Sequence, residues 1–152
     1  MNNSRYIDQR NANKKDFEED INKVKEYTKL VSYHFRKFKV NCESCVSKTE
    51  KEFHYIYNDL WYLIHSLCFK LKTDISKNVA LKRGIENFYC KFKLLPCEIC
   101  RKHYKEYLRD NPLRNVKNNF DLQNWTIDLH NSVNRRLNKP VFFFSSAKMK
   151  YS

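Results

Sequence analysis

The chain has 152 residues and a formal net charge of +13, from 30 Lys and Arg against 17 Asp and Glu. One glycine and three prolines are too few for the tight turns of a β-rich fold. A single glycine also excludes the glycine-rich phosphate loops of nucleotide-binding folds. No run of about 18 apolar residues is present, so we expect no membrane span. Basic residues are spread along the whole chain, which indicates a general lysine-rich composition and makes nucleic acid the less favoured partner.

The N-terminal third of the chain predicts a helical arm. Residues 1–15 are polar, and we expect a disordered tail there. From Phe17 to Phe38 apolar residues recur at alternating steps of four and three, with Thr28 at the one position that is not apolar, which predicts a helix with one apolar face. This face can pack on the protein's own domain or form a coiled-coil dimer contact, and we favour the first. We assign residues 16–52 to the arm.

The remainder, residues 53–152, predicts a compact set of helices. Apolar spacing places them over about 53–71, 76–92, 96–109 and 121–138. Ser76 is the expected N-cap of the second, and Ser145 the expected cap of a short fifth helix. The predicted architecture is all-α: a four-helix bundle with a short fifth helix and a helical N-terminal arm.

Two CxxC motifs are the main chemical feature of the chain. Cys97 and Cys100 follow Pro96 at the predicted start of a helix, where residues i and i+3 lie about 5–6 Å apart, within disulfide-forming distance. The free N–H groups and the dipole of a helix start favour a thiolate. The second motif, Cys42 and Cys45, lies in the arm. Such motifs indicate either redox chemistry or metal binding.

The metal alternative is a four-thiolate zinc site built from both pairs, with His103 as a possible substitute ligand. Residues 46–96 separate the pairs, far more than the roughly 15–20 residues of common zinc sites, so the spacing is a weak indication. In this alternative the protein is a zinc-binding basic helical adaptor for nucleic acid or protein.

The redox alternative accounts for more of the sequence motifs than the zinc alternative does. Three motifs follow in order: Trp61-x-x-x-His65, then Pro96-Cys97-x-x-Cys100-x-x-His103, then Trp125 with His130-Asn131-x-Val133-Asn134 and Lys139. Through these motifs the chain resembles the Erv/ALR family of FAD-dependent sulfhydryl oxidases over about residues 53–145. The resemblance implies a flavin held by side chains inside a small helical bundle. It assigns FAD contacts to Trp61, His65, Cys100, His103, Trp125, His130, Asn131, Val133, Asn134 and Lys139.

The same resemblance assigns catalytic roles to four cysteines and implies no metal. Cys100 is expected as the flavin-proximal sulfur and Cys97 as the interchange sulfur, exposed to an incoming thiol. Cys42 and Cys45 are expected as a shuttle disulfide, whose linker over Val46 to Leu60, if extended, would span up to about 50 Å and reach either subunit. Electrons would pass from a substrate dithiol through both pairs to FAD and then to O2, giving H2O2.

The resemblance also implies partners and a location. We expect a homodimer that oxidises a thioredoxin-like or CxxC-containing protein. The polar residues 1–20 show no signal peptide, so we expect the host cytoplasm or virion if the protein is viral, and otherwise the mitochondrial intermembrane space.

Some positions depart from the family pattern. Asn58 stands in place of an arginine that contacts the cofactor in cellular members. Ile127 and Phe144 stand where those members carry a structural disulfide, and we expect apolar packing there instead. Cys68 and Cys90 are expected to be buried free thiols, and a cross-link between them is the alternative.

Overall fold

The computed structural model describes the backbone of residues 3–40 and 50–152 and the side chains of residues 12–37 and 58–152. Within these residues every regular element is helical, which confirms the all-α prediction. The helices are α1 (Asn3–Val40), α2 (Glu50–Phe69), α3 (Val79–Cys90), α4 (Glu98–Asp110), α5 (Asn119–Arg136) and α6 (Phe144–Tyr151). Short 3-10 turns lie at Ile75–Lys77, Lys91–Leu94 and Leu113–Asn115. None of the described helices combines the length and hydrophobicity needed to cross a membrane.

One hydrophobic core joins the arm helix to the bundle. α2 lies centrally, in contact with α1, α5 and α6, while α1 also packs along α3. Fully buried side chains from four helices meet in this core: Val31, Leu67, Leu81, Phe88 and Leu122. The apolar face of α1 therefore packs on its own domain, as we favoured.

The helix starts show how the local sequence sets the boundaries. α3 begins after Asn78, whose side-chain oxygen accepts the N–H of Leu81 at 3.0 Å. The expected N-cap, Ser76, instead lies inside the preceding 3-10 turn, because Asp74 caps that turn. α6 begins at Phe144, so Ser145 lies in its first turn and is not its cap.

Two helices extend into segments where the sequence predicted disorder or a flexible linker. α1 begins at Asn3, which differs from the disordered tail expected over 1–15. α2 begins at Glu50, three residues before the start that apolar spacing predicted, and it takes up most of the segment from Val46 to Leu60 that we treated as an extended linker. Neither extension contains glycine or proline, and a helix already fixed by packing propagates at the gain of one hydrogen bond per residue.

A second, smaller apolar cluster attaches α6 to α5. Ile127, Ala147 and Tyr151 are buried there, with Phe144 packed against them. The expectation that apolar packing joins Ile127 and Phe144 is therefore confirmed.

The two cysteines outside the CxxC motifs, Cys68 and Cys90, are both free thiols. Cys68 is fully buried, and burial raises the pKa of its thiol to about 12. Cys90, expected to be buried, is only half-buried because it lies at the C-terminal end of α3.

Candidate functional site

A cavity of about 590 Å³ opens beside the Cys97–Cys100 motif. Its walls come from α2, the turn before α4, α4 itself and the C-terminal end of α5. The lining residues are Leu60, Trp61, Ile64, Phe92, Leu95, Cys97, Ile99, Cys100, His103, Tyr104, Leu129, Val133, Arg136, Leu137 and Lys139. This volume lies within the range of about 300–1,000 Å³ that cofactor and small-molecule sites occupy, and most of the lining is apolar. The cavity is therefore suited to a large, mostly apolar ring system.

Cys97 and Cys100 form a disulfide in the wall of this cavity, with their Cα atoms 5.2 Å apart. Cys97 is the N-cap of α4, and its sulfur accepts the N–H of Cys100 at 3.4 Å. The Arg101 guanidinium, in the first turns of α4, donates to the carbonyl of Leu95 at 2.8 Å and holds the turn that precedes the helix in place. The pair thus lies at a helix start, where the free N–H groups favour the thiolate form of a reduced cysteine.

The exposure of the two sulfur-bearing residues differs from the expectation. Cys97 was expected to be exposed to an incoming thiol, but it is only 5% exposed, whereas Cys100 is half-buried. The reason is the capping position of Cys97, which turns its sulfur toward the first turn of α4 and away from solvent.

Three cationic or titratable side chains line the cavity together with the disulfide. His103 lies one turn after Cys100 on α4 and is half-buried. Burial lowers the pKa of His103, and the positive charge of Arg136 lowers it further. Arg136 and Lys139 add two cationic side chains to an otherwise apolar lining, which suits an anionic group.

A buried histidine pair lies directly behind the aromatic wall of the cavity. His65 Nε2 and His130 Nδ1 are 2.8 Å apart, and His65 Nδ1 lies 3.2 Å from the Thr126 hydroxyl. The ring of His130 stacks on the indole of Trp61, with centroids 3.9 Å apart and planes 5° from parallel. Trp61 lines the cavity but neither histidine does, so the Trp61 side chain lies between the histidine pair and the cavity.

Burial keeps both histidine rings neutral. It lowers the pKa of His65 to about 3, with further contributions from the repulsion that a second proton on His130 would add and from Lys150. It lowers the pKa of His130 to about 4, with smaller contributions from Lys150 and Lys139. Both values lie below the ordinary histidine pKa of about 6.5.

These pKa values predict how folding stability depends on pH. Well above pH 6.5 neither the folded nor the unfolded chain protonates these rings, so they add no pH dependence there. Below it the unfolded chain binds protons that the folded chain excludes, and stability falls as pH drops toward 4 and 3. Between pH 6.5 and 5 we expect a loss on the order of 2 kcal/mol per ring in urea unfolding. His130→Gln should make the free energy of unfolding less dependent on pH. The control variant His34→Gln should leave that dependence unchanged. Equal free energies of unfolding at pH 6.5 and pH 5 would contradict the conclusion that the two rings are buried and neutral.

Three residues predicted to contact the cofactor make hydrogen bonds that hold the fold. Asn131 donates to the carbonyl of Phe142 at 2.9 Å and accepts the Phe142 N–H at 2.8 Å, which ties the C-terminal segment to α5. Asn134 donates to the side-chain oxygen of Asn131 at 3.5 Å. Trp125 donates to the carbonyl of Asn111 at 2.9 Å and packs edge-on against Tyr107.

The structure thus brings together part of the predicted site. Five of the expected cofactor residues line the cavity: Trp61, Cys100, His103, Val133 and Lys139. His65 and His130 reach it only through contacts with Trp61. Cys42 and Cys45, the expected shuttle pair, lie outside the described residues.

Sequence reasoning missed several wall residues that helical spacing could have identified. Ile64 lies three residues after Trp61 on α2, while Leu129 and Arg136 lie four before and three after Val133 on α5. Residues at these spacings share a helix face.

The zinc alternative finds no support. A four-thiolate site needs Cys97 and Cys100 as separate thiolates, but the structure joins them in a disulfide. In the described ranges 12–37 and 58–152, no three potential ligands cluster at a metal-binding distance.

Comparison with known proteins finds the same family that the sequence motifs resemble. The Erv1/Alr family matches residues 58–152, which is more than half of the chain. The FAD-linked sulfhydryl oxidase of African swine fever virus is 47% identical over 57 residues, covering 38% of this chain and 47% of the relative. The mitochondrial FAD-linked sulfhydryl oxidase ERV1 of Saccharomyces cerevisiae is 32% identical over 85 residues, covering 54% and 42%.

A third relative, the FAD-linked sulfhydryl oxidase ERV1 of Oryza sativa subsp. japonica, is 29% identical over 82 residues, covering 54% of this chain and 41% of the relative. The matched region therefore spans about half the length, or less, of these relatives. No solved structure shows significant similarity to the chain.

Proposed function

Because the chain belongs to the Erv1/Alr family, we propose that it is an FAD-linked thiol oxidase that forms disulfides in protein substrates. The overall reaction is dithiol plus O2 to disulfide plus H2O2. The observation that carries this proposal is the disulfide-bonded Cys97–Cys100 pair in the wall of a cofactor-sized apolar cavity.

The residues present fit an FAD cofactor. Apolar side chains such as Ile64, Leu129 and Val133 would hold its ring system, and the cationic side chains of Arg136 and Lys139 would hold its phosphates. Bound FAD supplies a two-electron acceptor that returns the electrons to O2 as H2O2.

The cysteine pair performs the exchange with the incoming dithiol. A thiolate attacks one sulfur of the Cys97–Cys100 disulfide, forms a mixed disulfide and releases the other sulfur as a thiolate. The second thiol of the dithiol then attacks the mixed disulfide, so the dithiol leaves oxidised and the pair is left with two electrons and two protons. The N–H groups at the start of α4, including that of Cys100, favour the thiolate form during these steps.

We further propose Cys42 and Cys45 as the shuttle pair that passes electrons from a thioredoxin-like or CxxC-containing protein to Cys97–Cys100. Replacing both with serine should leave oxidation of dithiothreitol within about twofold of the unmodified protein and slow oxidation of reduced thioredoxin at least about tenfold. Oxygen uptake with each reductant measures this. Unchanged rates with thioredoxin would refute the shuttle.

The proposed assembly is a homodimer. Viral and mitochondrial relatives support the host cytoplasm or virion, or the mitochondrial intermembrane space, as its location.

The oxidase proposal itself is tested by product balance. Purified protein should be yellow and should release one H2O2 for each dithiothreitol oxidised. A colourless preparation that contains zinc and consumes no oxygen would favour the zinc-binding adaptor.

A further inference from the structure

Two large apolar side chains beside the Cys97–Cys100 disulfide are exposed to solvent. Leu94 is 67% exposed and Ile99 is 63% exposed, whereas Cys97 between them is 5% exposed. Leu94 does not line the cavity, so its exposure does not depend on what the cavity holds. Single exposed apolar side chains are common on protein surfaces, but these two flank the disulfide that we assign to thiol exchange.

The turn that carries Leu94 is fixed relative to the disulfide. Phe92, two residues earlier, is buried in the core, and its carbonyl accepts the N–H of Leu95 at 3.2 Å. The Arg101 guanidinium on α4 donates to the carbonyl of Leu95 at 2.8 Å. Together these bonds hold the turn against the first turns of α4. A surface that is fixed in advance loses little conformational entropy when another molecule binds to it.

Basic side chains border the two apolar residues. Lys93 directly precedes the first of them, and Lys102 lies one turn after the second on α4; both are exposed. Neither lysine forms an ion pair with a carboxylate in the part of the chain that the structure describes. Residues 91–105 hold five Lys or Arg and one acidic residue, Glu98. This apolar surface with a positive border is complementary to a segment that is both apolar and acidic.

Thiol exchange brings a substrate against this surface. During exchange one substrate sulfur is bonded to Cys97 or Cys100 at about 2 Å. Leu94 is three residues from Cys97, so their Cα atoms are at most about 11 Å apart, and Ile99 is adjacent to Cys100. A substrate residue two or three positions from the reacting cysteine spans a similar distance. The residues that flank that cysteine therefore meet the exposed surface.

From this arrangement we propose a docking surface that selects protein dithiols flanked by apolar and acidic residues. It consists of Lys93, Leu94, Ile99 and Lys102. The inference rests on the proposed thiol oxidase and names the substrate class of that site. The docking surface acts on binding alone; the covalent step remains the exchange with Cys97–Cys100, which oxidises the dithiol and leaves two electrons and two protons on the pair. Dithiothreitol has no flanking residues and gains nothing from this surface.

Reduced peptides that share one Cys-x-x-Cys core and differ in their flanks test the selection. The first peptide carries Leu and Glu on both sides of the core, the second Leu and Lys, and the third Ser and Glu. In oxygen uptake at low salt we expect kcat/KM to be at least about tenfold higher for the first peptide than for either of the others. High salt should reduce its advantage over the second peptide, because screening weakens exposed charge pairs. Equal values for all three, or a preference for the second, would overturn the proposal.

Replacing lysines separates local contacts from the field of the whole chain. Lys93→Gln combined with Lys102→Gln should lower kcat/KM for the Leu and Glu peptide about fivefold. Lys25→Gln combined with Lys29→Gln is the matched control, since both lysines are exposed on α1 and the net charge changes by the same amount. The control should change this value by less than about twofold. An equal loss in both double variants would assign the preference to the net charge and contradict the docking surface.

The apolar part of the docking surface is tested by Leu94→Ser. This variant should lower kcat/KM for the Leu and Glu peptide about fivefold and leave the value for the Ser and Glu peptide unchanged. Val79→Ser makes a similar change at a position that is 70% exposed at the start of α3, and it should affect neither peptide. A loss in Leu94→Ser no larger than that in Val79→Ser would refute an apolar contact at Leu94.

Failure of the docking surface can be told apart from failure of the oxidase. All of these variants should oxidise dithiothreitol at the rate of the unmodified protein, because none of the replaced residues lines the cavity. No oxidation of dithiothreitol by the unmodified protein would refute the oxidase. Fluorescence anisotropy of labelled peptides in which serine replaces both cysteines measures docking without any turnover. If the Leu and Glu peptide then bound no more tightly than the Leu and Lys peptide, the docking surface would be refuted.

Discussion

Replacing Cys100 with serine should abolish oxygen-dependent thiol oxidation, by at least about a thousandfold, while FAD stays bound. The pair can exchange with a dithiol only if both sulfurs are present, because one must leave when the other is attacked. Serine removes that sulfur with little change in volume, and most of the cavity wall does not depend on it. Oxygen uptake with dithiothreitol and the flavin content of the purified variant measure the two parts of this prediction.

Cys90→Ser is the matched control for this variant. Cys90 is a half-buried free thiol and does not line the cavity, so its loss should change the rate by no more than about twofold. Persistent turnover by Cys100→Ser would show that another thiol performs the exchange, and loss of flavin from that variant would show that Cys100 also holds the cofactor site together.

The second large effect is expected from filling the cavity. Val133 lines it from α5 and is half-buried, so Val133→Trp places an indole in the space that we assign to the FAD ring system. We expect FAD content to fall at least about tenfold and the purified protein to be colourless. Because the added ring enters a cavity and not a packed core, the overpacking cost of about 1–3 kcal/mol should be largely avoided, and helical circular dichroism should remain.

Val141→Trp introduces the same side chain at a position that is 53% exposed, outside the cavity wall. This control should bind FAD normally. Full FAD occupancy in Val133→Trp would place the cofactor elsewhere and would contradict our assignment of the cavity.

Much of the architecture could be predicted from helical periodicity. The apolar spacing of Val24, Val31 and Phe35 indicated the buried face of α1, and the structure buries those residues. The extension of α1 to Asn3 could not be read in this way, because polar residues propagate a helix without leaving an apolar pattern. For the same reason the start of α2 at Glu50 was missed.

Among the residues that line the cavity, the chemically distinctive ones were the ones that the sequence indicated. Trp61, Cys97 and Cys100 were identified from spacing and family resemblance, and all three line the cavity. Arg136 was missed because arginine is not distinctive in a chain with 30 basic residues, and only its spacing of three residues from Val133 could have indicated it. The burial of Cys97 depends on its capping contact, which a sequence does not show.

Asn131 and Trp125 illustrate a different limit of motif reasoning. Both belong to the family motif, yet their polar atoms bond to the backbone of Phe142 and Asn111. A residue of a family motif can therefore stabilise the fold around the cavity, in addition to any contact that it makes with a cofactor.

The central claim is that thiols deliver electrons through Cys97–Cys100 to a flavin in the adjacent cavity. An anaerobic absorption titration with dithiothreitol tests it most directly. We predict a yellow protein whose flavin absorbance bleaches on addition of the dithiol and returns when air is admitted. A protein without flavin absorbance, or one whose flavin spectrum is unchanged by excess dithiol, would contradict the claim.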